Sequence, residues 1–104
     1  MKVLDFTISG QSLKRDALCD FTGIVAGSSG YLRARFHFSA DWAGCKKVAV
    51  FGCKGNKYPV PLTGNQCDIP AEALTGSAVQ VYVVGQRGSY RLATNTAAFP
   101  QIVR

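Results

Sequence analysis

The chain is short of charge, and of acidic charge above all: 12 Lys and Arg and 6 Asp and Glu make up only 17% of its 104 residues, against roughly a quarter in an average globular chain. The six acids are scattered and no two lie close in sequence, which argues against a carboxylate pair for acid–base work. Histidine occurs once, at His37, with no acidic neighbour in sequence, so an exposed strand histidine is the expectation rather than a general base. The serines Ser12, Ser28 and Ser29 lie in no nucleophile-elbow pattern, and no glycine-rich phosphate loop opens a helix. The four cysteines, Cys19, Cys45, Cys53 and Cys67, never form the C-x-x-C pair of a zinc site. Like charges never run to five, so no basic tail for nucleic acid is visible. No apolar run approaches the ~18 residues of a membrane span, and Met1-Lys2 leads into VLDFTIS, which alternates like a strand instead of forming a secretion signal. These absences set the expectations of no enzyme, no cofactor, no metal, no membrane and no nucleic acid, in a product made and folded in a cytoplasm. There the cysteines are read as free thiols; in an exported chain three disulfide pairings would be open.

What is present is enough for a core. Apolar residues are 47% of the chain, and a chain of this length buries roughly 60–70% of its unfolded surface without bridges or metals. Residues 1–104 are read as one domain, and the richness in Gly, Thr, Val and aromatics points to an all-β protein.

Period-two alternation carries the organisation. Leu4, Phe6 and Ile8 share one face of a first strand, and Gly10 to Ser12 make a turn. Residues 13–21 lean towards an irregular strand, and Gly27 to Gly30 read as a hairpin loop. From Tyr31 to Ser39, Leu32, Ala34, Phe36 and Phe38 face a core while Tyr31, Arg33, Arg35 and His37 face water. Ser39 to Gly44 turn the chain, with Trp42 folding back as a lid on the core, and Lys46 to Cys53 follow as the partner strand. Val48 to Phe51 are apolar on both faces, which places that strand centrally or under another subunit. Pro59 and Pro61 confine the next strand to an edge or a short irregular stretch. Cys67 shares its parity with Ile69 and is the expected core thiol, Pro70 to Leu74 make one helical turn, and strands follow over residues 79–84, 90–95 and 98–103. Seven or eight short strands spaced about every ten residues predict an antiparallel β-sandwich, immunoglobulin-like in the placing of its tryptophan.

Two surfaces stand out as binding candidates. Tyr31, Arg33, Arg35 and His37 mix aromatic and cationic groups on one sheet face, suited to a surface glycan or another polyanion if it is more than a solvated outer face. Val48, Val50 and Val84 are the candidate interface for copies of the chain or another protein. Tyr58, Arg87 and Tyr90 are a weaker candidate for a sugar-binding loop tip.

The order FxFSxDWxG, KxVAVF, CDIPAEAL, VxVxG and RLATN, over Phe36 to Val103, resembles small immunoglobulin-like β-sandwich modules of phages and prophages of low-GC bacteria. In those viruses similar segments occur in tail, baseplate or head-fibre proteins. The resemblance implies a virion structural or attachment role with virion proteins as partners and no catalytic residues. It makes Phe36, Phe38, Trp42, Ala49, Phe51, Cys67, Ile69, Pro70, Leu74, Val81, Val83, Gly85, Thr94 and Asn95 framework residues.

Overall fold

Alternating apolar residues build strands here because each strand presents one face to a shared interior. The computed structural model describes residues 1–103 and contains nine strands: β1 (Lys2–Ser9), β2 (Ser12–Arg15), β3 (Leu32–Phe38), β4 (Lys46–Cys53), β5 (Asn56–Pro61), β6 (Gln66–Asp68), β7 (Ala78–Arg87), β8 (Tyr90–Ala93) and β9 (Ala97–Pro100). The only helical pieces among the described residues are single 3-10 turns at Ala40–Trp42 and Ala71–Ala73, the second inside the predicted helical turn.

The strands form two sheets, β2-β1-β3-β6 and β5-β4-β7-β8, with β9 also paired to β7. Every ladder between named strands is antiparallel except one: β1 and β3 run parallel over seven residue pairs, from Lys2 beside Leu32 to Ile8 beside Phe38. Parallel neighbours need a long crossover. Here β2 and the irregular stretch 16–31 supply it, so Gly27 to Gly30 lead into β3 and do not form the expected hairpin. Only residues 13–15 of the expected 13–21 strand are extended in a ladder, within β2; beyond them Asp16 and Asp20 close turns by accepting the backbone N–H of Leu18 (2.9 Å) and Thr22 (2.8 Å).

The expected pairing of the third strand with the Lys46–Cys53 strand is also corrected. β3 ends in one sheet, and the 39–45 turn carries the chain across to β4 in the other. The reason lies in that turn. Ser39 N–H donates to the Ile8 carbonyl, and the Trp42 indole N–H donates to the Gly10 carbonyl at 2.7 Å, so the turn is anchored to the end of β1 and cannot double back. Trp42 is fully buried; its ring lies 5.2 Å from that of Phe38 and against the backbone of Gly85.

The interior joins the two inner faces. Leu4, Phe6 and Ile8 of β1 and Leu32, Ala34 and Phe36 of β3 meet Ala49, Phe51 and Cys53 of β4 and Val79, Val81 and Val83 of β7. Phe6 is its centre, stacked on Phe36 at 5.2 Å and edge-on to Phe21 at 5.3 Å. β4 is central, between β5 and β7, and β5 with its two prolines is an edge, each one of the two alternatives the residue pattern left open. Ile69 and Leu74 are buried beneath the second 3-10 turn.

Candidate interaction faces

The outer face of the four-stranded sheet carries the candidate ligand residues, and the parallel β1–β3 ladder determines its chemistry. That register sets Asp5 directly beside Arg35. Arg35 grips the carboxylate with two hydrogen bonds, Nε to Oδ1 at 2.7 Å and Nη2 to Oδ2 at 3.2 Å, and His37 Nε2 lies 2.9 Å from the same Oδ1. Arg33 pairs with Asp68 at 3.1 Å and donates to the Gln66 side-chain carbonyl at 3.3 Å across the β3–β6 ladder. The hydrogen bond from Arg35, then that from His37, holds the Asp5 carboxyl below its ordinary range against the opposing pull of burial; Asp5 in turn raises the Arg35 guanidinium. His37 is an exposed strand histidine, as the sequence indicated, and its acid is 32 residues away in sequence and one strand away in space. Tyr31 stands at the entrance to β3, exposed, beside Lys2, Val25 and Ser28. The structure brings Arg33, Arg35 and His37 together, but with both guanidinium groups paired to carboxylates and His37 bonded to Asp5.

The outer face of the five-stranded sheet is different. Its ladders align residues into rows across the strands. Two central rows are apolar: Tyr82, Val50 and Pro59, then Ala93, Val84, Val48 and Pro61. Val48, Val50, Val84 and Tyr82 are half-buried, because on a flat sheet each is shielded only by its row neighbours. The row at one end holds Gln80, Gly52 and Lys57, with the Lys57 ammonium 5.8 Å above the Tyr82 ring. The row at the other end holds Arg91, Gln86 and Lys46. No residue of these four rows is acidic. The candidate interface residues Val48, Val50 and Val84 thus lie together at the centre of an apolar band with a cation-bearing row at each end. Sequence reasoning found the valines and missed Pro59, Pro61, Tyr82 and the end rows, which only register aligns.

The loop candidates separate. Arg87 stacks on Tyr90 at 4.7 Å and donates to the Ala43 carbonyl, and the Tyr90 hydroxyl donates to the Asp41 carbonyl at 3.0 Å, so this pair clamps the Trp42 turn. Tyr58 packs on the core from β5 and does not join them.

All four cysteines are free. Cys67 is buried as expected; burial, and secondarily Asp68, pushes its thiol up to about 12, which makes it unreactive. Cys45 and Cys53 are buried too, and half-buried Cys19 accepts the Asp5 N–H at 3.3 Å. Among the described residues no three His, Cys, Asp or Glu side chains converge to hold a metal ion, and no helix is long and apolar enough to cross a membrane.

A groove of about 660 Å³ opens between the Arg15–Ile24 stretch and Pro100–Ile102. Asp16 and Asp20 line it, but both carboxylates are engaged in their own turns, and Arg15 lies over the Phe21 ring at 5.3 Å. Gln101 beside it is buried, donating to the Gly76 carbonyl at 3.2 Å while its own side-chain carbonyl meets no protein donor.

Asn95 was absent from every binding reading, yet it joins the two sheets. Its side-chain amide accepts the Leu13 N–H at 2.7 Å and donates to the Leu13 carbonyl at 3.1 Å, capping the free edge of β2 as a neighbouring strand would. Against known proteins the chain stands apart: no family model, curated protein or solved structure matches it.

Proposed function

We propose that this chain is a non-enzymatic assembly module that works by protein–protein contact through the outer face of its five-stranded sheet. The observation that carries this reading is the contrast between the two outer faces. One has Arg33 and Arg35 paired to Asp68 and Asp5, whereas the other leaves two apolar rows uncovered. The segment pattern from FxFSxDWxG to RLATN adds the setting, a phage or prophage particle in which an immunoglobulin-like sandwich serves as a tail, baseplate or head-fibre component. A glycan or polyanion site at Tyr31, Arg33, Arg35 and His37 is the weaker alternative, because a ligand would have to displace carboxylates already bound.

The test is the solution mass of the reduced protein by light scattering behind size exclusion, at low and high salt, for the natural chain and Val50→Lys. Salt screens the cations around the face, since the Debye length shrinks from roughly 10 Å at 0.1 M to 3 Å at 1 M. The natural chain is expected to gain mass as salt rises, and the variant to stay monomeric. Equal masses for the two folded proteins at every salt concentration would remove the face as a surface for self-assembly.

A further inference from the structure

We infer that the occupant of this face is a different protein chain, one with an apolar surface carrying carboxylates at both ends; the inference rests on reading the face as the docking surface. The charge layout leads there. Lys57 marks one end of the apolar band and Lys46 with Arg91 the other, and β4 separates the end rows by six residues, from Gly52 to Lys46, or about 20 Å at roughly 3.3 Å per residue. None of the three cations has a carboxylate within ion-pair distance among the described residues.

Two copies of the chain meeting face to face would be related by a two-fold axis lying between the sheets. With the axis along the strands, each Lys57 row meets the other Lys57 row. With the axis across the strands, each Lys57 row meets the Lys46–Arg91 row. Rows that carry cations and no acid oppose one another either way, so the layout works against a second copy and favours a partner of opposite charge. The short side chains of Val, Pro and Ala that dominate the band also suit a protein surface better than a membrane, which is entered by protruding apolar side chains.

A probe of matching shape can be made from the protein itself. The variant Lys46→Glu/Lys57→Glu/Arg91→Glu keeps the apolar rows and carries carboxylates at both ends; Lys46, Lys57 and Arg91 are exposed, so the substitutions leave the core untouched. Mixed at low salt with the natural chain, it is expected to form a 1:1 complex by light scattering while each protein alone stays monomeric. The complex should weaken at least tenfold on moving to high salt and disappear when the natural chain carries Val50→Lys. A natural chain that dimerises alone at low salt as readily as it binds the probe would overturn the inference in favour of a second copy. So would failure to bind the probe, alone or with capture by vesicles of phosphatidylcholine and phosphatidylglycerol. If the probe fails while the natural chain still self-associates at high salt and Val50→Lys does not, the docking face stands and only the acidic partner falls.

Discussion

Gly85 shows how much one missing atom can decide. A Cβ there would lie 2.7 Å from two ring carbons of Trp42 and 3.3 Å from Cys45 Cβ, closer to the ring than real Cβ atoms approach. The ring cannot retreat, because its indole N–H is bonded to the Gly10 carbonyl and Phe38 flanks it. Gly85→Ala is therefore expected to cost about 1–3 kcal/mol, the usual range for overpacking a filled core. Gly52, in the row beside Gln80, is the control: a Cβ there finds its nearest neighbour at 3.6 Å, an ordinary contact, so Gly52→Ala should cost much less. Urea midpoints at unchanged slope would read both; equal losses would mean the Trp42 contact is not what excludes alanine.

At the scale of the strand, β5 shows how an edge is kept from pairing further. The Leu62 N–H donates to the Lys47 carbonyl, so the N–H groups of residues with its parity point into the sheet, while positions 59 and 61 point away. Both outward positions are proline, and the edge offers no donor at either. Pro59→Val with Pro61→Val would restore a donor row on a strand of high β-propensity. This double variant is expected to remain folded but to associate edge to edge, with light scattering rising at concentrations where the natural chain is clear. No increase would show that the prolines serve the face and not the edge. The proline pattern was legible in the sequence because the missing donor belongs to the residue itself. That Pro59 and Pro61 also complete the apolar rows was not, because it follows from the register with Val50 and Val48.

For the molecule as a whole, charge links the fold to pH. The chain has a net charge of +6, and protonating its carboxylates in acid adds to the self-repulsion. Asp5 ties β1 to β3 through Arg35 and His37, and its carboxyl is held below its ordinary range in the folded state. A depressed carboxyl contributes stability that is fully present above its unfolded value, about 3.9, and is lost as pH falls through the lower folded value. Asp5→Asn should thus be less stable than the natural chain at neutral pH, with the gap closing below about pH 4. Urea midpoints followed into acid check this; a gap that persists undiminished would place the stabilisation in packing instead of charge.

The sequence by itself determined which residues face inward. Alternation is local, so Leu4, Phe6, Ile8, Leu32, Phe36, Val81 and Val83 were readable as core, as were Trp42 as a packing residue, Cys67 as a buried thiol and β5 as an edge. Only the tertiary structure decided which strands are neighbours. The β1–β3, β3–β6 and β4–β7 ladders and the Asn95 bridge to Leu13 join residues roughly 30 to 80 positions apart, and the Trp42 bond to Gly10, 32 positions away, holds the crossing from β3 to β4. Those pairings gave His37 its acid, engaged Arg33 and Arg35, and set Val48, Val50 and Val84 in one band with cations at its ends. A strand's period dictates its faces through its own backbone geometry, whereas its register depends on the fit of distant side chains in a common core.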